Sequence, residues 1–444
     1  MNPTANLTRR QFLQQVGLVG LAAPWAARGL RAASPNEVWH HASFGASGMA
    51  AADIESITRH PGVKLVAVAD VDLDRAAELK KKFADLRVYQ DWRQLLDKEK
   101  DLQSVNVSTP DHMHAPIGMS ALQRGKHLFG QKPLAHDVFE VRQMTRLARE
   151  KRLATQMGIQ IHSASEYRTA VRQVQDLAVG KIKEVHSWSS KKWGDPAPRP
   201  ERSDPVPPNL NWDFWLGVAA TRPFIGDGYY HPGNWRKRLD FGTGTFGDMG
   251  CHIYDPVFKA LDLTAPISLR SEGPAPNQWN WAVDARIQYV FPGTRFTAGD
   301  TVPVTWYDGD QRPPRDVQVL LESEALPDQG SIFLGTKGVL LLPHIGAPRL
   351  LPDKQFDGYP VPRVAGEDHW RQWLEACRGE GRSSANFDYA GPLTETVLLG
   401  SVATRFPQTT LKWDAAHLRF TNLAEANKFI RRRYRKGWEV KGLT

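Results

Sequence analysis

Residues 45–50 read GASGMA, directly after the stretch VWHHASF at 38–44. Small residues that leave a strand and open a helix form a turn where backbone amides meet an anionic ligand. The spacing G-x-G-x-x-G would place glycines at 45, 47 and 50. Here those positions hold Gly45, Ser47 and Ala50, with a further Gly48. Whether this is a phosphate loop depends on what surrounds it.

Outward from the loop, strand and helix patterns alternate. A strand is expected over 37–44 and a helix from Gly48 to His60. VKLVAVAD (63–70) is nearly all apolar, as in a strand buried on both faces. RAAELKKKF (75–83) reads as an amphipathic helix, and SVNVSTP (104–110) as a strand stopped by Pro110. HAPIGMSALQR (114–124) reads as a helix ended by Gly125. HLF (127–129) and LATQMG (153–158) read as strands, with a helix over 137–151 between them. This alternation implies a doubly wound parallel sheet. The polar pair His40 and His41 is unusual in a central strand and is expected to be exposed near the rim.

The loop therefore lies between the first strand and the first helix, where dinucleotide phosphates bind. Gly45, Ser47, Gly48 and Met49 are its candidate contacts. Asp70 closes the next strand, where a carboxylate accepts hydrogen bonds from the adenosine ribose and repels a ribose phosphate. NAD is thus favoured over NADP. Two further loops leave strands on the same sheet edge. Thr109, Pro110, His112 and His114 belong to one, and Gln131 and Lys132 to the other. The first contains Asp111 and two histidines but no third spaced ligand cluster, so it reads as a polar loop lining the cleft and no metal is expected.

A chain of 444 residues is long enough for two domains. The formal net charge is +9, with much of the basic charge at the ends, as in RRRYRK (431–436). Neither zinc-finger spacing nor an RNP-type sequence accompanies it, and no nucleic-acid partner is expected. Cys251 and Cys377 read as two reduced core cysteines, with one disulfide as the alternative. At the N-terminus, Thr8-Arg9-Arg10-Gln11-Phe12-Leu13 precedes the apolar stretch VGLVGLAAPWAA (16–27). Charged start, short apolar middle and small residues read as an export signal, and the paired arginines resemble the twin-arginine type. Arg31 makes cleavage after Ala33 poor, so the segment stays open to retention as a membrane anchor. Periplasmic or other extracytoplasmic localisation follows.

Together these motifs resemble the Gfo/Idh/MocA family of sugar oxidoreductases, over nearly everything after residue 36. In that family the Rossmann half carries a glycine-rich loop, an acidic strand end, an A-T-P-[ND]-H-x-H segment and an E-K-P motif. Here they stand as GASGMA, VAVAD, STPDHMH and GQKP. GTGTFGDMGCHIYDP (242–256) resembles the family's D-x-x-x-H segment. GTKGVL (335–340), NFDYAGPLTE (386–395) and YRKGWEV (434–440) look like a periplasmic subgroup. The resemblance implies an α/β fold: an N-terminal Rossmann dinucleotide-binding domain over 36–158, after a signal segment over 1–33. A C-terminal α/β domain over 159–444 follows, with an open, mainly antiparallel sheet. Strand-like runs there are 183–190, 267–273, 282–291 and 330–336. The exposed face of such a sheet commonly supports a homo-oligomer.

By position, the resemblance assigns catalysis to Lys132, Asp248 and His252 beside the nicotinamide. Asp248 and His252 are four apart and share a helix face. A histidine can take the hydroxyl proton, a lysine can polarise the same oxygen, and an aspartate can orient the sugar. Gln131 stands where the family has glutamate. An amide still hydrogen-bonds a ribose hydroxyl but lacks the charge. The cofactor is then either tightly held and recycled or no longer bound. Residues 194–235 form a long segment rich in Pro, Trp and Arg, of the kind that covers a site. Trp193, His231, Trp235 and Arg236 there are candidate carbohydrate contacts, as are Gln160 and His162. Three functions remain open: an exported sugar oxidoreductase, a redox-assisted glycosidase with tightly bound NAD, and a non-catalytic sugar-binding relic.

Overall fold

The computed structural model describes residues 38–322 and 325–444; the expected export segment at 1–33 lies outside the described residues. The apolar run after residue 62 forms β2 (Val63–Ala69), with its last five residues buried. It pairs in parallel with β1 (Trp39–Phe44) and with β3 (Arg87–Tyr89). On the other side of β1 lie β4 (Ser104–Val107), β5 (His127–Gly130) and β6 (Thr155–Met157), again all parallel. The order is β3-β2-β1-β4-β5-β6. The chain reverses direction across the sheet between β1 and β4. A crevice opens there at the carboxyl ends of the strands, the usual ligand position in such sheets.

The connecting helices are α1 (Met49–Thr58), α2 (Leu73–Lys82), α3 (Trp92–Lys98), α4 (His114–Gln123) and α5 (Val138–Glu150). Asp72, Asp91 and Asp137 cap α2, α3 and α5 by accepting backbone N–H bonds, as short polar side chains at N-caps do. By contrast, α1 starts at Gly48 with no side-chain cap, which leaves its first amides for another acceptor. The short β3 and α3 have no counterpart in the sequence reading, because a three-residue strand carries too little apolar pattern. His41 corrects that reading. It is fully buried, with Nδ1 2.9 Å from Ser104 Oγ and Nε2 2.9 Å from Asn106 Oδ1. Polar partners on the neighbouring strand satisfy it inside the core.

After α6 (Ser165–Gln175), a second sheet has the order β13-β12-β11-β7-β10-β9-β8-β14-β15. Its strands are β7 (Ile182–Ser189), β8 (Ser268–Ser271), β9 (Arg286–Pro292), β10 (Thr301–Asp308) and β11 (Gln329–Gly335). They continue with β12 (Val339–Pro343), β13 (Arg349–Leu351), β14 (Thr410–Asp414) and β15 (Arg419–Phe420). Every pairing is antiparallel except β7 with β10. Between β7 and β8, α7 (Trp212–Leu216) sits in a long irregular segment and α8 (Gly244–Leu261) packs on the sheet. The short α9 (Arg315–Gln318), then α10 (His369–Cys377) and α11 (Phe387–Ala403), complete the helices. One apolar core runs through both halves, since α11 packs on α5 and on α8. Both cysteines are free and buried.

The Pro- and Trp-rich segment has its own small core of Leu210, Trp215, Phe224, Tyr230, Trp235 and Phe241. It reaches across to the first sheet. Asn209 Nδ2 donates to Asp72 Oδ1 at 2.7 Å, and the Asn211 N–H donates to the Val71 carbonyl at 2.9 Å. The segment thereby covers the crevice.

Candidate active site

A cleft of about 400 Å³ runs from the Gly45–Met49 loop, past Asp70 and Thr109, to Lys132, His252 and His344. Gly45 has φ +103°, and a Cβ there would meet the Ser108 carbonyl oxygen at 2.7 Å, so glycine is required. Gly48 has φ +62° and faces open space. Ala50 is fully buried beneath the loop. Ser47 Oγ pairs with Arg75 Nη1, which brings a cation to the rim of the loop.

Asp70 accepts the N–H groups of Ala46 at 2.9 Å and Asp72 at 3.0 Å, one on each carboxylate oxygen. It thus braces the loop, and each oxygen keeps a lone pair for a ribose hydroxyl. Burial raises its pKa. Pro110 and Thr109 line the same wall. Both ring nitrogens of His114 lie 2.7 Å from carbonyl oxygens, of Pro133 and Thr109, and lock the two strand-end loops together. His112 is buried against Trp215 and Phe241, with Nε2 3.0 Å from the Trp215 carbonyl oxygen. Burial, aided by Arg432, pushes its pKa down to about 3.

At the far end, Lys132 Nζ donates to Asp248 Oδ1 at 2.6 Å and to the Asp248 carbonyl at 2.7 Å. An ammonium has three donors, so one remains for a ligand. Asp248 Oδ2 accepts from Trp193 Nε1 at 2.8 Å and from Lys191 Nζ at 3.3 Å. Arg236 Nε lies 3.4 Å from Oδ1. Burial alone would raise the Asp248 pKa, but Lys132, Arg236 and Lys191 outweigh it and hold the carboxyl well below the usual range. One turn along α8, His252 faces the same space, and its Nδ1 is buried without a partner. Burial first, then Lys132 and His344, depress its pKa, so the ring is neutral at pH 7. His344 lies alongside with ring centroids 5.6 Å apart, its own pKa lowered to about 4 by burial and the nearby lysines.

The structure brings Lys132, Asp248 and His252 together, but Asp248 is occupied by protein donors. It anchors Lys132 rather than facing a sugar. Trp193 stands behind it, its indole N–H spent on Asp248. Arg236 and Trp235 line the cleft, with the guanidinium over the Trp235 ring at 4.2 Å. His231 also lines it, but at the loop end, with Nε2 3.0 Å from Asp72 Oδ2. Two expectations are corrected. His162 is buried outside the cleft against Asp255, at 2.8 Å, and Tyr167. Gln160 lies outside it too, with Nε2 buried. Both follow β6 on a 3₁₀ turn that packs under α6 and α8 instead of turning into the crevice.

Gln131 has a specific partner. Its Nε2 donates to both oxygens of Asp53, at 3.1 and 2.9 Å. Ser108 Oγ and Trp370 Nε1 donate to the same carboxyl. Asp53 is fully buried on α1, and burial lifts its pKa to about 6 against those three partners. A glutamate at 131 would face this carboxyl directly, so the amide is the residue that fits.

Sequence reasoning missed Lys191, His344, Arg75 and Asp53. Lys191 follows an expected strand and Arg75 opens an expected helix, so strand-end position could have flagged both. His344 has no local signal. Asp53 shows only as an acid at an inward position of an amphipathic helix.

The cleft lies where the carboxyl ends of the parallel sheet meet the second, mainly antiparallel sheet. Sequence models of the oxidoreductase family match in both halves: the NAD-binding Rossmann fold at 40–159 and the C-terminal alpha/beta domain at 181–297. The chain belongs to the Gfo/Idh/MocA oxidoreductase family. It is 26% identical over 195 residues to levoglucosan dehydrogenase of Pseudarthrobacter phenanthrenivorans, covering 44% of this chain and 41% of that protein. It is 29% identical over 138 residues to alpha-N-acetylgalactosaminidase of Shewanella oneidensis, covering 29% of this chain and 30% of that protein. The matches thus span less than half the length of these relatives. The fold resembles the WlbA dehydrogenase of Chromobacterium violaceum, solved with NADH and UDP-GlcNAcA. The TM-score is 0.61 at 14% identity, over 86% of this chain and 98% of that one.

Proposed function

We propose that this protein is an exported, NAD-dependent oxidoreductase acting on a ring hydroxyl or ketone of a sugar or glycoside. The observation that carries it is Lys132, pinned by Asp248 with one N–H free, beside a neutral His252 at the end of a loop-lined cleft. The cofactor fits these residues. The uncapped start of α1 and the open face of Gly48 offer a phosphate cradle, Arg75 adds a cation, and Asp70 keeps acceptor capacity for the ribose.

Bound NAD supplies the acceptor for the hydride that leaves the alcohol carbon. Lys132 Nζ donates its remaining N–H to the alcohol oxygen and stabilises negative charge there. The His252 imidazole takes the hydroxyl proton. Its depressed pKa keeps the ring unprotonated at neutral pH, so its lone pair is free. Asp248 holds Lys132 in place, and the segment ending at Arg236 excludes water. Asp70 and Asp72 at the loop end favour NAD over NADP. Denaturing the purified protein and assaying the supernatant by mass spectrometry tests this reading. Near-stoichiometric NAD(H) is expected, held tightly because free NAD is scarce outside the cytoplasm. No dinucleotide, and no binding of added NAD or NADP, would remove the oxidoreductase reading and leave a sugar-binding scaffold.

A second reading is a redox-assisted glycosidase. His344 supports it, as a second neutral base beside His252, and so does the partial identity to a glycosidase. Transient oxidation would acidify the carbon next to the ketone, and a base could then drive elimination. Incubation with aryl glycosides separates the two. Aglycone release without net NADH favours the glycosidase, and NADH without release favours the dehydrogenase. Export rests on Arg9 and Arg10; cell fractionation of an Arg9→Lys/Arg10→Lys variant should find it retained in the cytoplasm. The homo-oligomer expected from the second sheet is tested by light scattering.

A further inference from the structure

A second cavity, of about 350 Å³, lies behind the cleft wall between the start of α5, the end of α11 and the C-terminal segment. It shares no lining residue with the cleft. Four cationic side chains line it: Arg405, Lys428, Arg432 and Arg433. Only two carboxylates accompany them, and both are engaged. Asp137 accepts the N–H groups of Glu140 and Arg432, each at 2.8 Å, and burial beside Glu140 raises its pKa. Asp240 is paired with Arg222. The cavity therefore carries a clear excess of positive charge.

Lys428 pairs with Glu425 at 3.5 Å and Arg432 Nη2 donates to the Asp240 carbonyl at 3.2 Å, but other donors are unspent. The Arg405 guanidinium lies over the Phe429 ring at 4.5 Å and the Trp281 ring at 5.1 Å. Ring faces hold the cation and leave its in-plane N–H edge free, the geometry that suits a forked contact to an oxyanion. Burial lowers its pKa to about 10, still charged at neutral pH. Arg432 Nη1, Ser401 Oγ and His136 Nε2 are buried without hydrogen-bond partners. Buried polar atoms are nearly always paired, and these three unpaired ones belong to residues that line the cavity. Surface lysines alone would not create this pattern.

We infer that this cavity binds a small molecule through an oxyanion, a carboxylate or a phosphate, held by Arg405, Arg432 and Ser401. The site is separate from the cleft yet adjoins it. Thr243, on the cavity wall, donates from Oγ1 to Asp111 Oδ2 at 2.6 Å, and Asp111 lines the cleft. His136 is four residues beyond Lys132.

Titration calorimetry on the purified protein at low ionic strength, with sodium phosphate and D-glucuronate as separate probes, tests the inference. Binding of phosphate alone assigns a phosphate ester, and binding of glucuronate alone assigns a carboxylate. Arg405→Gln should weaken that binding by about tenfold or more, as loss of a charge-assisted fork does. If Arg405→Gln does not fold, the exposed Arg433→Ala and Lys428→Ala carry the test, each expected to weaken binding about threefold. Arg75→Ala, in the cleft, should leave this binding unchanged. Failure of both probes to bind overturns the inference. So does binding that survives all the cavity variants, or binding lost only in Arg75→Ala.

Discussion

Gln131 and Lys132 are neighbours in one loop, and each faces a buried aspartate on a different helix. The outcomes are opposite. Asp53, facing a neutral amide, has its pKa lifted to about 6 by burial. Asp248, facing Lys132, Lys191 and Arg236, is held firmly ionised although it too is buried. Desolvation acts on both; only nearby cations differ. The first pair closes the floor of the fold beneath the cofactor loop. The second holds an ammonium at the point where chemistry is proposed. Two adjacent residues thus contact one carboxyl in the body of the fold and another at the proposed reaction point.

The largest expected effect breaks the second pair. Lys132→Met should lower kcat/KM for sugar oxidation by about 10²- to 10⁴-fold while the circular dichroism spectrum is kept. Normal turnover would remove Lys132 from the reaction. Asp248→Asn leaves Lys132, Lys191 and Arg236 facing one another without a carboxylate. It should cost about 3 kcal/mol of stability in urea unfolding, together with about 10²-fold in turnover.

The first pair gives a smaller, pH-dependent effect. The folded pKa of Asp53, about 6, lies above its ordinary 3.8, so the folded state holds this proton more tightly. Its favourable contribution is complete below pH 3.8 and is lost as pH rises to about 6. Asp53→Asn should flatten the stability profile across that window. Gln131→Glu adds a second carboxyl and should destabilise by about 2 kcal/mol, more at pH 8 than at pH 5. Asp53→Asn in the same chain should recover most of that loss. A cycle of the single and double variants with no coupling would show that the pair does not interact. The smallest effect is Trp193→Phe, which removes one donor from Asp248 while three cations remain. About 1 kcal/mol, or a fivefold fall in kcat/KM, is expected.

The Rossmann half was legible because its signals are local. β2 is an apolar run, Pro110 and Gly125 are stops, and the loop glycines sit where φ is positive. The D-x-x-x-H pair was legible through the family resemblance, and one helical turn puts Asp248 and His252 on one face. Misreadings came where local pattern and tertiary context disagree. His41 looked exposed because it is polar, yet Ser104 and Asn106 satisfy it from the next strand. His162 looked available because it follows a sheet strand, yet Asp255 draws it under α8. Trp193, a candidate carbohydrate contact, has its indole N–H committed to Asp248.

The sequence by itself determined the doubly wound half and the family resemblance, and through that resemblance it pointed to Lys132, Asp248 and His252. The first rests on periodicity and local stops, the others on motifs that the resemblance made readable. Only the tertiary structure decided why residue 131 is an amide, since Asp53 is 78 positions away. It alone turned Asp248 into an anchor for Lys132 across 116 positions, and set His344 beside His252. It alone gathered Arg405, Arg432 and Arg433 around one cavity. Charge and burial act through space, and a one-dimensional pattern does not record which distant side chains share it.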